Sequence, residues 1–281
     1  MAVNTGASQH PLEKLKSEVL ATRGYWHAFH EGLLALSPSY LQAYLDFHNP
    51  PFLAGHLDRK MCEFIYIAAD AAVSHLFTPG VEMHIEAALR LGATALEIME
   101  VIQLATLAAH SSHTVGMPIL VEEMARAGVT SPAATRELTE EEHAAKADFI
   151  DTVGHWPEGG DAIFRFAPRF ARGFLAYAQI PFREGPLSKK DKELILIGVF
   201  ASPVAPQPDT LRTHIRLALQ HGASPEEIAD VLQLTSAIAI HTCVAAIPAL
   251  TAATTTQKVS SATVKPNTPN PGPDVHGPTT A

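Results

Sequence analysis

The chain has 281 residues, of which 47% are hydrophobic and 17% are charged, and its formal net charge is -9 at pH 7. This length allows one large domain or two ordinary ones, each able to bury a core. The negative charge and the lack of a basic run argue against nucleic acid or an anionic membrane as the main partner. No window approaches the roughly 18 uninterrupted apolar residues that a membrane span needs, so we expect a protein that does not enter a membrane.

The N-terminal segment and the cysteines indicate a cytoplasmic protein. The segment MAVNTGASQHPLEKLK lacks the basic start and the continuous apolar core of a secretory signal. The two cysteines, Cys62 and Cys243, are too few for a disulfide framework. We therefore expect both thiols to be reduced, as is usual in the cytoplasm.

The same pattern occurs twice in the chain. Residues 83 to 104 read MHIEAALRLGATALEIMEVIQL, and residues 213 to 234 read THIRLALQHGASPEEIADVLQL. The two copies are 130 residues apart, and the register holds without a gap from about residue 24 to 120. This match indicates a tandem duplication of one unit. The matched pairs include Gly24 with Gly154, Trp26 with Trp156, Glu63 with Glu193, His84 with His214, and Gly92 with Gly222.

The local signals within each unit predict helices. The apolar runs EFIYIAADAAV and ELILIGVFASPV follow Asp58 and Ser188, which stand where helix N-caps belong. These runs could also be buried strands, but their length beyond ten residues and their alanines favour helix. Downstream, Val81 and Ile85 belong to an apolar stripe of helical spacing, which their counterparts repeat in the second unit.

Glycines and capping boxes mark the next helix boundaries. Gly92 and Gly222 stand where a left-handed residue ends a helix. Two residues later, the segments 94–97 and 224–227 read TALE and SPEE, and each is a capping box that starts a new helix.

These elements define the predicted organisation of an all-α chain. Residues 1–127 form the first unit, residues 128–143 a polar linker, and residues 144–251 the second unit. Residues 252–281 are rich in Thr, Pro, Ser and Gly and carry almost no large apolar side chain, which predicts a disordered tail.

The order of these residues resembles the carboxymuconolactone decarboxylase family, which shares its fold with the alkylhydroperoxidase D-like proteins. The pattern is a Glu in a helical run, then His-x-x-x-Ala-Leu-x-x-Gly-Ala-[Ser/Thr]-x-x-Glu-Ile, and it occurs in both units. The resemblance implies a tandem duplication of an alkylhydroperoxidase D-like helical unit, without a cofactor. It also implies a homo-oligomer, because single units of the family assemble into trimers or hexamers. A trimer of two-unit chains or a dimer would meet this expectation.

Two branches of this family differ in their cysteines. The peroxidase branch carries Cys-x-x-Cys-x-x-x-His, whereas the decarboxylase branch keeps the histidine alone. In this chain the two cysteine positions are occupied by Phe77 and Gly80 in the first unit and by Gln207 and Thr210 in the second. Disulfide exchange in its family form is therefore excluded.

The resemblance assigns the catalytic roles to His84 and His214, with Glu63 and Glu193 as their partners. A half-buried imidazole can move a proton near neutral pH, and a buried carboxylate can orient it. The alternative for each histidine is a core-edge residue that ties two helices together. The alternative for each glutamate is a solvated side chain in the first turn of a helix.

The resemblance also implies a basic residue two positions before the histidine, and Arg212 is the candidate to bind a substrate carboxylate. Arg212 precedes His214 by two residues, whereas its counterpart in the first unit is Glu82. Arg can pair with a carboxylate, and Glu would repel one. The sequence therefore predicts that only the second unit binds a small carboxylate.

A metal site is a weaker reading of the chain's 15 histidines. His110 and His113 are three residues apart on one helix, and His75 precedes the turn before His84. No third ligand stands at a fixed spacing, so we predict no metal.

The predicted function is that of a cofactor-independent carbon–carbon lyase, a decarboxylase of a small carboxylated lactone or unsaturated acid. The alternative is a non-catalytic helical scaffold or a protein that binds a small molecule. The two differ in whether the histidines face an enclosed polar cavity or pack against backbone.

Overall fold

The computed structural model describes residues 6–263, which form helices and connecting turns with no strand among them. The predicted all-α class is confirmed. The first unit begins with α1 (Gly6–Arg23), α2 (Ala28–Leu36), α3 (Pro38–His48), α4 (Pro50–Ala54), α5 (Arg59–Ala71) and α6 (Thr78–Arg90). It continues with α7 (Ala95–Ala105), a 3-10 turn (Thr106–His110), α8 (Ser111–Thr114) and α9 (Gly116–Arg126).

The second unit repeats this arrangement with two differences. Helix α10 (Pro132–Thr135) lies in the predicted linker, and α11 begins there as well. The following elements are α11 (Glu140–Val153), α12 (Asp161–Phe166), α13 (Pro168–Arg183), α14 (Lys189–Phe200), α15 (Pro208–Gln220), α16 (Pro225–Ala237), a 3-10 turn (Ile238–Ile240) and α17 (His241–Thr263). One helix, α13, takes the place of α3 and α4, and one helix, α17, takes the place of α8 and α9. Helices α6 and α15 have the same length and are 130 residues apart, so the duplication is present in the structure as in the sequence.

The predicted helix boundaries are observed. Asp58 and Ser188 cap α5 and α14, because each side chain accepts a backbone N–H of the first turn. The capping boxes at the starts of α7 and α16 are both formed. Gly92 and Gly222 follow α6 and α15 with φ of 85° and 87°, a left-handed conformation that favours glycine. The apolar runs after Asp58 and Ser188 are therefore helices and not strands.

One core serves both units. Helices α5 and α14 pack against each other at its centre, α6 and α7 lie beside α5, and α15 and α16 lie beside α14. Gly198 permits part of this close approach, because a Cβ there would lie 3.0 Å from the Ile65 side chain. The buried apolar side chains of the two units form one continuous cluster, so the units do not fold as separate bodies.

The last helices of each unit also pack against the other unit. Helix α17 packs on α2, and Ile240 in the 3-10 turn before α17 forms a small apolar cluster with Phe29 and Leu33. In the opposite direction, α9 packs on α12. A Cβ at Gly159 would lie 2.8 Å from Pro118, which explains the glycine at this contact. The two units thus exchange their last helices, α9 and α17, each of which lies against the other unit.

The C-terminal helices form an unusually apolar run. Helix α17 extends past residue 252, where the sequence predicts the start of the tail, and ends at Thr263. Residues 264–281 lie outside the described part of the chain, so the disorder predicted for them stays a prediction. By length and composition alone, Pro225–Thr256 could cross a membrane, with a mean hydropathy of 1.6 in its most apolar window and 17% of that window buried. The run is interrupted by polar residues such as Gln233, Ser236 and His241, so it is not a window of uninterrupted apolar residues.

Two candidate active sites

The first unit holds a buried Glu–His pair. Glu63 lies in α5 and His84 in α6, and both side chains are almost fully buried. His84 Nδ1 is 2.6 Å from Glu63 Oε2, so the imidazole N–H donates to the carboxylate. This hydrogen bond leaves Nε2 as the free ring nitrogen. The structure thus brings together the residues that the sequence pairs.

The charges around this pair favour an ionised glutamate and a neutral histidine. Burial would raise the pKa of Glu63, but the hydrogen bond from His84 and the charge of Arg23 hold that pKa below its usual value. Burial lowers the pKa of His84, and the hydrogen bond to Glu63 opposes this effect. Since Arg23 and Glu63 balance each other, the imidazole needs no charge in the resting state.

A small cavity adjoins His84, and several polar side chains contribute to its wall; we call it the unit-one cavity. Its wall includes Arg23, Tyr25, Tyr44, His48, Tyr66 and His84, and its volume is about 20 Å³. Arg23 donates through Nε and Nη2 to the Tyr25 hydroxyl at 3.1 and 2.9 Å. Its Nη1 is buried and has no hydrogen-bond partner among residues 6–263. A guanidinium with a free donor in a closed cavity is suited to bind an anion.

Aromatic contacts fix the orientation of the histidine in this cavity. The Tyr66 ring stacks on His84 with centroids 4.6 Å apart. The Tyr66 hydroxyl in turn lies 2.8 Å from His48 Nε2. Burial lowers the pKa of His48 well below its usual value, so its ring is neutral and its Nε2 can accept a hydrogen bond from the Tyr66 hydroxyl. The imidazole of His84 is thereby held between a carboxylate and an aromatic face.

The second unit repeats the Glu–His pair in different surroundings. His214 Nδ1 lies 2.7 Å from Glu193 Oε2, and both residues are buried. Phe200 stacks on His214 with centroids 5.0 Å apart, and His155 meets it edge-on. Burial, with a smaller effect of His214, lowers the pKa of His155 to about 4.

The cavity beside His214, which we call the unit-two cavity, is larger and mostly apolar. Its volume is about 80 Å³. Four phenylalanines contribute to its wall, and among the described residues no Asp, Glu, Lys or Arg lines it. Val153 stands where the unit-one cavity has Arg23, and His155 stands where it has Tyr25. The two sites share the Glu–His pair but differ in their chemistry.

Each cavity is closed by the other unit. Ile238, Ile240, His241 and Val244 of the second unit complete the wall around His84. Leu107, His110, Ser111 and Thr114 of the first unit complete the wall around His214. Neither site is therefore formed by one unit alone.

The structure does not place Arg212 in either cavity. Arg212 is exposed on α15, while His214 points inward, because residues two apart project from different sides of a helix. The buried cation next to a catalytic candidate is Arg23 of the first unit, which sequence reasoning missed. When the two units are aligned, Arg23 falls opposite Val153, and this charge in one unit only could have identified Arg23.

The three histidines considered for a metal do not form one group. His110 and His113 pack their rings against Phe174 of the second unit. His75 instead contacts His241, with Nε2 and Nδ1 2.9 Å apart. His110 and His113 thus lie against the second unit, whereas His75 lies near the site of the first unit.

The fold and the paired sites define a tandem all-α protein with two Glu–His sites. Residues 38–115 and 168–255 both match the carboxymuconolactone decarboxylase family. A crystal structure from Burkholderia xenovorans LB400, assigned as a candidate gamma-carboxymuconolactone decarboxylase subunit, has 34% sequence identity and a TM-score of 0.82. That similarity covers 88% of this chain and 98% of the other. No curated protein matches this chain. The chain belongs to the carboxymuconolactone decarboxylase family.

Proposed function

We propose that the protein is a cofactor-independent decarboxylase of a small carboxylated lactone or a related unsaturated acid, and that the unit-one cavity is its active site. The observation that carries this proposal is the buried Arg23 with a free Nη1 beside the Glu63–His84 pair. The name of the relative from Burkholderia xenovorans LB400 supports the same class of reaction. The assignment to unit one replaces the expectation that Arg212 makes unit two the anionic site.

The proposed reaction uses the chain's own residues. Arg23 binds the negative charge of the substrate. The bond between the carboxylate carbon and the adjacent carbon breaks, carbon dioxide leaves, and the electron pair forms a dienolate. His84 then protonates the dienolate at carbon and regains a proton from water. The negative charge of the bound substrate raises the pKa of His84, so that Nε2 carries the proton when it is needed.

The small volume of the unit-one cavity requires that a substrate displace part of its wall. At about 20 Å³, the space holds little more than a water molecule. Met83 is half-buried in this wall, next to His84. An unbranched, flexible methionine side chain can move at low cost. We propose that the substrate enters the unit-one cavity beside Met83.

A panel of carboxylated muconolactones tests the proposal. We expect the wild-type protein to release carbon dioxide from at least one of them. The variant His84→Gln should lower kcat by about 10²- to 10⁴-fold, because the proton donor is lost. Arg23→Gln should mainly raise KM. The matched variant His214→Gln should retain turnover, because its site has no cation.

Other outcomes of this experiment contradict the proposal. No turnover of any member of the panel would reject the decarboxylase, and loss of turnover only in His214→Gln would move the reaction to the second unit. Equal partial losses in both histidine variants would mean that the two sites never diverged. Circular dichroism of each variant identifies a loss that is caused by unfolding.

The second candidate function is the binding of a small, largely apolar molecule without catalysis. It is favoured by the unit-two cavity, whose wall is mostly aromatic and aliphatic. His214 and Gln207 would supply the polar contacts there. An uncharged aromatic ligand that binds wild type but not Phe174→Ala, with no chemical change, would support this function. It would not by itself conflict with catalysis in the first unit.

We also propose that the chain is a homo-oligomer. The relative from Burkholderia xenovorans LB400 is described as a subunit, and the apolar part of α17 from residue 245 to residue 256 is largely exposed in the single chain. A face of this kind marks an interaction surface in many proteins. Multi-angle light scattering at micromolar concentration should report a dimer or a trimer, and Leu250→Glu on α17 should shift it toward the monomer. A monomeric wild type would contradict the proposal.

A further inference from the structure

Three potential metal ligands converge next to the unit-one cavity. Asp70 lies in the last turn of α5, His75 in the loop that follows, and His241 at the start of α17. His75 Nε2 is 2.9 Å from His241 Nδ1. Asp70 Oδ1 is 3.8 Å from the first of these nitrogens and 3.5 Å from the second. The three ligand atoms therefore form a compact triangle, although their residues are far apart in sequence.

The carboxylate of Asp70 lacks a partner in its buried position. The residue is fully buried, and neither of its oxygens accepts a hydrogen bond from any residue in the described range 6–263. An unpaired carboxylate in such a position is costly. Gly80 leaves room for the Asp70 carboxylate, because a Cβ at Gly80 would lie 1.9 Å from Asp70 Oδ2. A bound cation would resolve the unfavourable burial.

The size of the triangle fits a transition metal. A point equidistant from the three atoms lies about 2.0 Å from each of them, which is the bond length of zinc to His nitrogen and to carboxylate oxygen. Two imidazoles and one carboxylate are a ligand set for Zn²⁺ and for other divalent first-row metals. We propose that Asp70, His75 and His241 bind one divalent transition-metal ion, with Zn²⁺ as its representative.

The surroundings hold the ligands in this arrangement. The Phe77 ring stacks on His241 with centroids 4.1 Å apart, and its backbone N–H donates to the Asp70 carbonyl. Leu76, between His75 and Phe77, has φ of 47°, a left-handed conformation that a leucine rarely adopts. The loop is thus bent so that His75 turns back toward Asp70.

The site is present once among residues 6–263. The positions that correspond to Asp70, His75 and His241 in the other unit are Phe200, Ala205 and Ser111, none of which suits this metal. His241 begins the helix that crosses from the second unit onto the first. A metal would therefore tie α17 to the first unit, and it would lie beside the cavity that His241 helps to line. The site does not depend on the proposed lyase reaction, because it uses neither Glu63 nor His84.

Metal titration of the intact chain tests this inference. After treatment with a chelator, isothermal titration with Zn²⁺ should show one ion per chain, and Co²⁺ should give the visible absorption of a site with nitrogen and oxygen ligands. The midpoint of thermal unfolding should rise with Zn²⁺ concentration. His75→Ala and Asp70→Asn should weaken binding by at least about 100-fold, because each removes a direct ligand.

A matched control separates this site from other histidines. His113→Ala removes a histidine that the sequence also suggests for a metal, and it should bind Zn²⁺ as wild type does. Asp70→Asn keeps the shape of the side chain, so its loss of binding cannot be attributed to a cavity. The inference is overturned if wild type takes up no stoichiometric Zn²⁺ or Co²⁺. It is also overturned if His75→Ala and Asp70→Asn bind the ions as wild type does.

Discussion

A Lys192→Met variant is expected to unfold with a free energy about 3 to 5 kcal/mol lower than that of wild type. Lys192 on α14 and Glu100 on α7 are both buried, and their charged atoms lie 2.8 Å apart. The other oxygen of Glu100 accepts the backbone N–H of Leu187 at 2.8 Å. Removal of the lysine leaves an uncompensated carboxylate between the two units. Chemical denaturation at pH 7 measures the difference.

Two further variants determine whether the lost charge is the cause. In Glu100→Gln with Lys192→Met, the amide oxygen still accepts the Leu187 N–H and no charge remains. This double variant should be more stable than Lys192→Met alone. Lys190→Ala breaks the pair of Lys190 with Glu227, which is partly exposed, and should cost less than about 1 kcal/mol. Equal losses in Lys190→Ala and Lys192→Met would contradict the argument from burial.

Acidification from pH 7 to pH 5 is expected to lower the free energy of unfolding by about 6 kcal/mol through three histidines whose pKa is lowered, or roughly 2 kcal/mol for each of them. Burial lowers the pKa of His30 to about 3 and that of His110 and His155 to about 4. The pKa of each in the unfolded chain is near 6.5. Below this value the unfolded state binds more protons than the folded state. The stability contributed by these groups is thus complete above pH 6.5 and is lost as pH falls toward 4.

The structure gives one of these histidines a direct reason to remain neutral. His30 Nδ1 accepts the backbone N–H of His27 at 3.1 Å, and a protonated ring would have no lone pair for this bond. Urea unfolding at pH 7, 6 and 5, in the presence of a chelator, measures the change. His155→Gln should make the free energy of unfolding less dependent on pH, by roughly 2 kcal/mol between pH 7 and pH 5, since one of these groups is removed. A stability that is constant from pH 7 to pH 5 would contradict this explanation.

The elements that sequence reasoning predicted are those with local signals. Caps, glycines and the internal repeat place α5, α6 and their counterparts, and the family pattern selects Glu63 and His84 within them. A cap or a helix period needs only neighbouring residues, so it can be read from a short stretch of sequence. The pairing of Glu63 with His84 spans 21 residues, and here the repetition in both units supplied the signal.

The parts that sequence reasoning did not predict depend on contacts across the fold. Arg23 enters the unit-one cavity from α1, and His241 reaches His75 from 166 residues away. No spacing rule connects such positions, because their approach is decided by how α1 and α17 pack. The family resemblance indicates Arg212 because it precedes His214 by two residues. On a helix, however, a separation of two residues turns the side chain away from its neighbour.

The exchange of helices between the units has a consequence for how the protein responds to dilution. Each cavity takes part of its wall from the other unit, so a free unit would have to find a second one before its cavity closed. The fraction of free units with a complete cavity would fall as their concentration fell. In the present chain the two units are joined covalently, which holds each at an effective concentration that is independent of the amount of protein. A cavity that is assembled from two halves is thereby kept complete at any concentration, however few copies a cell contains.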